Sequence, residues 1–212
     1  MEAVKPFMGY AVAAFNGKGF AHLNEDQLNK LTLKFQEFFD SASGSKSART
    51  RGKYFLVYLI LRYTGARISE VTALDDQRDI DYRSGDITLR VLKRRQAGSK
   101  PPRKMSPVPL QAVNELARYL AQYPEMRGKV FNIDRSNFFR TFRELAKAAS
   151  IPEDLCHPHV LRHTRALELV RAGVPLTIVQ DLLGHASLNT TAGYLRFSGL
   201  EARQILKDRG FL

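Results

Sequence analysis

His157-Pro158-His159-Val160-Leu161-Arg162-His163-Thr164 gathers three of the chain's five histidines and one arginine into eight residues. The surrounding pattern predicts a helix over residues 158–172, which puts His159 and His163 at i, i+4 on one helix face. Two other stretches are as dense in reactive side chains. Thr64-Gly65-Ala66-Arg67-Ile68-Ser69-Glu70 stands upstream, and Leu182-Leu183-Gly184-His185 downstream, with Tyr194 nine residues beyond His185. Each alone has a plain structural reading: a hydrogen-bonded histidine, a surface arginine at a helix start, a packed tyrosine. Their occurrence together is what asks for an explanation.

The chain around them is an ordinary globular one. Its 212 residues are 44% hydrophobic and 25% charged, a length and composition that suit one large domain or a main domain with a small appendage. A single cysteine excludes a disulfide framework and a Cys-rich zinc module. No apolar run approaches the ~18–20 residues of a membrane span, and Met1-Glu2-Ala3-Val4-Lys5-Pro6 has no signal-peptide character. The expectation is a soluble, cytoplasmic protein with no membrane partner. Asn16-Gly17-Lys18-Gly19-Phe20 lacks the third glycine of a dinucleotide loop.

Charge is the most informative bulk property. Lys and Arg number 33 against 21 Asp and Glu, a formal charge of +12. Residues 1–45 hold four basic and five acidic side chains, which leaves a net +13 on the remaining 167. No acid separates Lys46, Arg49, Arg51, Lys53, Arg62 and Arg67, and none interrupts Arg90, Lys93, Arg94, Arg95, Lys100, Arg103 and Lys104. Such clusters neutralise phosphates and make binding salt-dependent. They favour nucleic acid over a merely solvated face, and Lys46, Arg49, Arg51, Lys53, Arg94, Arg95, Lys100, Arg103 and Lys104 are the expected DNA-backbone contacts.

Periodicity and punctuation predict the elements. Asn24 with Gln27 reads as a capping box opening a helix that ends near Ser41-Ala42-Ser43-Gly44-Ser45. That flexible stretch divides a short N-terminal helical segment, 1–45, from a main domain, 46–212. A helix over 48–63 is apolar on all sides and so expected to be buried. Thr64-Gly65-Ala66 breaks it before a short helix through Leu74. Strands are expected near 79–82, 86–92 and 106–109, the first two joined by Arg83-Ser84-Gly85. Further helices are expected at 111–122, 136–149, 158–172, 175–183, 188–196 and 199–208. The fold class is α+β: a mostly helical domain with a small three-stranded antiparallel sheet carrying a basic loop.

Between Ala48 and Phe197 the chain resembles the tyrosine recombinases, the phage-integrase family of DNA strand-exchange proteins. The family's marks are an arginine in T-G-x-R-x-S-E, a hairpin lysine, H-x-x-R, a histidine or tryptophan after L-G, and a tyrosine; all occur here in order. The resemblance implies an integrase-like DNA breaking and rejoining fold and a set of roles. Arg67 and Arg162 would grip the non-bridging oxygens of a phosphodiester with forked, permanently charged donors. Tyr194 would attack phosphorus and join the DNA 3′ end through a phosphotyrosyl bond. A tyrosine of ordinary pKa ~10 needs its proton accepted: by resemblance His159 accepts it, while His185 bonds the phosphate or orients the nucleophile. Lys93, directly after its strand, would protonate the departing 5′ oxygen, with Lys100 in reserve. Ser69 and Glu70 would brace Arg67 or simply extend the helix, and His163 would serve structure.

No cofactor and no metal are implied, since arginines supply the positive charge. Partners would be double-stranded DNA, three further copies in a homotetrameric synapse, and an accessory protein. The setting would be the bacterial or archaeal cytoplasm, at the nucleoid during action. Some 45 residues precede the basic helix, fewer than the helical clamp that most members carry there, so a minimal architecture is expected.

Three rival readings stand beside this one. A metal-dependent hydrolase could draw on Cys156, His157, His159, His163 and His185, but position 160 is valine where H-E-x-x-H needs glutamate, and Arg67, Arg162 and Tyr194 are left without work. A non-catalytic DNA-binding relative would not need every catalytic residue type. A type IB topoisomerase shares the chemistry, but its chain is usually larger.

Overall fold

The computed structural model describes residues 21–90 and 103–184, and of residues 103–105 it describes the backbone only. Helix α1, Glu25–Asp40, begins on the capping box: Asn24 Oδ1 accepts from the Gln27 amide at 2.8 Å, and Gln27 Oε1 accepts from the Asn24 amide at 3.0 Å. Its apolar stripe buries Leu28, Leu31 and Phe35. A short connection leads into α2, Ser45–Thr64, the axis of the fold. From Phe55 to Leu61 every side chain of α2 is buried, each worth about 1.5–3 kcal/mol of transfer from water. A helix apolar on all sides must be surrounded, and α2 packs against α1, α4, α6 and the short α3, Ile68–Val71.

Helices α4, Leu110–Gln122, and α5, Arg135–Ala148, complete the first layer. At Gly52 a β-carbon would lie 2.4 Å from Tyr119 Cε2, so α2 approaches α4 more closely than any other residue permits. The Tyr119 hydroxyl then donates to the Arg49 carbonyl at 2.8 Å. Phe35 stacks on Tyr58 at 4.2 Å between ring centroids and meets Phe142 at 5.8 Å, tying α1, α2 and α5 into one aromatic core. Helices α6, His159–Arg171, and α7, Leu176–Leu183, pack on each other through Ala166, Leu167, Val170, Val179 and Leu183. The Leu23 amide donates to Thr164 Oγ1 at 2.9 Å, which ties the start of the described chain to the middle of α6.

The sheet is smaller than the sequence suggests. Strands β1, Asp86–Arg90, and β2, Arg103–Pro107, pair antiparallel with Ile87 opposite Ser106. The strand expected at 79–82 is corrected to a single bridge, Ile80 to Ile87, so the sheet has two strands among the described residues rather than three. Acidic side chains explain the difference. Asp79 Oδ2 accepts from the Asp75 amide at 3.0 Å, and Asp81 Oδ1 accepts from the Arg83 and Ser84 amides at 2.8 and 3.2 Å. These local bonds turn the chain on either side, so pairing with β1 is confined to the Asp79 carbonyl, which accepts from the Thr88 amide at 2.8 Å, and the Asp81 amide, which donates to the Asp86 carbonyl at 2.9 Å. Elsewhere the expected helices are found within three residues at each end, and those at 188–196 and 199–208 lie outside the described residues. No helix among the described residues is long and apolar enough to cross a membrane.

Candidate active site

The end of α2, the start of α6 and the end of α7 converge on one arginine. Arg162, 3% exposed, donates from Nη1 to the Gly65 carbonyl at 2.8 Å and from Nη2 to the Leu183 carbonyl at 2.7 Å. Gly65 caps α2 and Leu183 is the last residue of α7. Helix C-terminal carbonyls lack intrahelical donors and carry partial negative charge, so two of them make a fitting seat for a guanidinium. This one side chain thus joins the T-G-A-R turn, the H-x-x-R helix and the L-L-G turn, stretches far apart in sequence.

Gly65 shows why the turn takes glycine. Its φ is +61°, and a β-carbon there would sit 2.7 Å from Leu183 Cδ2. Gly65→Ala is expected to cost about 1–3 kcal/mol of stability from backbone handedness and crowding. It should also push the Gly65 carbonyl off Arg162. Urea unfolding reads the loss of stability.

Arg67, two residues on, is held differently. Its Nη1 donates to Glu70 Oε1 at 2.9 Å, and its amide donates to Glu70 Oε2 at 3.0 Å. Glu70 has no exposed side-chain surface, while the Arg67 side chain keeps 20% exposure. A buried carboxylate therefore aims a partly exposed guanidinium, and of the two sequence alternatives for Glu70 the brace is the one observed.

A second ionic group, not anticipated from the sequence, locks α2 to α6 beside this site. Arg62 Nη2 and Nη1 reach the two carboxylate oxygens of Glu168 at 2.8 and 2.9 Å, and Arg165 Nη1 reaches the same carboxylate at 3.2 Å. Arg62, Arg67, Arg162 and Arg165 outnumber Glu70 and Glu168, so the local field stays positive, as an anionic ligand requires. The only hint in the sequence was the acid-free run ending at Arg67.

His159 is the first residue of α6 and is exposed. One turn further, half-buried His163 meets it edge to face, with ring centroids 4.8 Å apart and planes at 89°. Burial above all, with neighbouring His159, Arg162 and His157, pushes the His163 pKa down to about 4, so its ring is uncharged near neutral pH.

The structure thus brings Arg67, His159 and Arg162 to one pole of the molecule. Lys93, His185 and Tyr194 lie outside the described residues. Of the expected DNA contacts, Arg94, Arg95 and Lys100 also lie outside, and Arg103 and Lys104 are placed only as backbone in β2. Lys46 is exposed at the start of α2. Its neighbours have partners within the protein: Arg49 pairs with Glu125 at 2.7 Å, Lys53 reaches the Asn132 carbonyl, and Arg51 donates to the Phe38 carbonyl at 3.1 Å. Arg51 also lies 4.6 Å above the Phe38 ring. At 1.5 Å per residue, Arg49 stands about 24 Å along α2 from Gly65. These cations help to bind α1, α2 and the following segments together. Among the described residues no three His, Cys, Asp or Glu side chains are grouped to hold a metal ion.

Two guanidiniums and a histidine thus stand beside helix ends: Arg162 on two carbonyls, Arg67 on the Glu70 carboxylate, and His159 exposed at the start of α6. The model of the phage integrase family matches residues 22–199, and the chain belongs to that family. A tyrosine recombinase of Thermosipho africanus is 32% identical over 190 residues, covering 87% of this chain and 60% of the relative. The crystal structure of XerA recombinase superposes with a TM-score of 0.68 at 25% identity, over 91% of this chain and 66% of that one. XerH recombinase, solved in a pre-cleavage complex with its difH substrate, has the same fold: TM-score 0.65 and 24% identity, over 84% of this chain and 50% of that one. The chain spans roughly half to three fifths of the length of the curated relatives it matches.

Proposed function

We propose that this protein is a site-specific DNA recombinase that cleaves and rejoins strands through a phosphotyrosyl intermediate. The observation that carries the reading is the seating of Arg162 between the Gly65 and Leu183 carbonyls, which joins the T-G-A-R turn and the end of α7 to the H-x-x-R helix. The tyrosine recombinase of Thermosipho africanus, 32% identical over 87% of this chain, supports the reading.

In this reaction the Tyr194 oxygen attacks phosphorus as its proton passes to His159. The bond from phosphorus to the 5′ oxygen breaks, and Lys93, or Lys100 in its place, supplies a proton to that oxygen. Arg67 and Arg162 offset the charge that grows on the non-bridging oxygens, the step where fixed cations act most strongly. His185 bonds the phosphate or orients the nucleophile. The phosphotyrosyl bond conserves the energy of the phosphodiester, so a second 5′ hydroxyl reseals the strand without a nucleotide cofactor. Joining two duplexes calls for four protomers on DNA. The basic residues flanking the hairpin hold the backbone, and the 46–212 unit carries the chemistry.

The test is covalent trapping. Incubated with a nicked cognate duplex and then denatured, the protein should carry DNA, and Tyr194→Phe should carry none. Trapping that persists unchanged in Tyr194→Phe contradicts the assignment of the nucleophile.

A further inference from the structure

We propose that His163 is a positioning residue for the proton acceptor: its ring, set edge to face against His159, fixes the plane and placement of the His159 imidazole. This rests on the proposed role of His159.

The geometry carries it. His159 stands exposed on the first residue of α6. The His163 ring, one turn deeper, meets it at 4.8 Å and 89°, a favoured arrangement of aromatic pairs. His163 is itself anchored: it is half-buried and follows Arg162, whose guanidinium is fixed by two carbonyls. The support therefore runs from a rigid residue to an exposed one. A ring that stays neutral suits the role. A charged His163 would repel Arg162 and would also repel His159 once it takes the nucleophile's proton, whereas a neutral one leaves that proton on His159. An acceptor held within hydrogen-bond reach gains rate from orientation, and small misplacements are costly.

The decisive experiment compares His163→Ala and His163→Phe with the parent protein, reading single-turnover cleavage and DNA binding separately. His163→Ala should cleave about tenfold or more slowly with binding unchanged, since a mis-set acceptor slows the chemical step without altering the backbone grip. His163→Phe, which restores an uncharged ring, should return cleavage to within about threefold of the parent. A His163→Ala protein that cleaves at the parental rate overturns the proposal. So does a His163→Phe protein as slow as His163→Ala, because a hydrogen bond rather than the ring would then be the essential feature. A circular-dichroism melt of each variant separates these outcomes from misfolding: a folded Phe variant that fails still counts against the proposal. His159→Ala serves as the control. If it cleaves like the parent, the reading of His159 fails first, a result distinct from failure of the His163 proposal.

Discussion

Arg162→Lys is expected to lower DNA strand cleavage by about 10³-fold, in the upper range for removing a fixed transition-state donor. Arg162 is both a source of charge and a structural bolt, and lysine cannot replace it in either role. An ammonium is a compact point charge without the planar fork that spans two carbonyls. The Gly65 and Leu183 carbonyls accept at 2.8 and 2.7 Å from different nitrogens of one guanidinium. Lysine can satisfy one of them well, leaving the other short of a donor at about 1–3 kcal/mol. The expected result is a folded protein with lowered stability, DNA binding within a few-fold of the parent, and cleavage almost absent. Urea unfolding and single-turnover cleavage read the two halves. Parental cleavage in Arg162→Lys contradicts the site as described.

The second large effect is expected at Glu70. Its carboxylate is fully buried and receives both the side chain and the amide of Arg67. Removing one partner of a buried ion pair strands the other, which typically costs about 3–5 kcal/mol. Glu70→Gln keeps the shape but offers one carbonyl oxygen where two carboxylate oxygens accepted. Stability should fall toward the lower end of that range, because Arg67 keeps some exposure and can turn to water. Cleavage should drop at least tenfold, the equivalent of about 1.4 kcal/mol, because the Arg67 guanidinium is no longer aimed. Glu70→Asp, which retains charge but shortens the reach, should fall between Gln and the parent. If Glu70→Gln loses stability but keeps the parental cleavage rate, the carboxylate braces the fold and not the reaction.

Much of this architecture was legible in the sequence, for reasons that can be named. The capping box at Asn24 and Gln27, the apolar run inside α2 and the glycines that end α2 and α7 are local signals, and each produced the element it predicted. The motif residues Arg67, His159 and Arg162 were visible for the same reason: their spacing is local even though their meeting is not. Two kinds of feature stayed hidden. Main-chain acceptors carry no sequence signature, so the seating of Arg162 between two helix-end carbonyls could not be foreseen. Nor could pairings across 106 and 141 residues, Arg62 with Glu168 and the Leu23 amide with Thr164. The strand expected at 79–82 is cut to a bridge because Asp79 and Asp81 hold turns on either side of it. Nor does the sequence show which cations of a basic cluster have partners within the protein: Arg49, Arg51 and Lys53 each find one inside the fold.

A phosphotyrosyl mechanism requires that DNA join one particular tyrosine among the chain's eight. Some tyrosines already have fixed structural partners: the Tyr58 hydroxyl lies 2.6 Å from Thr32 Oγ1, and the Tyr119 hydroxyl donates to the Arg49 carbonyl. The most direct measurement is to trap the covalent complex on a nicked duplex, digest protein and DNA, and locate the nucleotide-bearing residue by mass spectrometry. The expected result is a nucleotide attached through its 3′ phosphate to the peptide containing Tyr194. A nucleotide on any other residue, or linked through a 5′ phosphate, would contradict the mechanism.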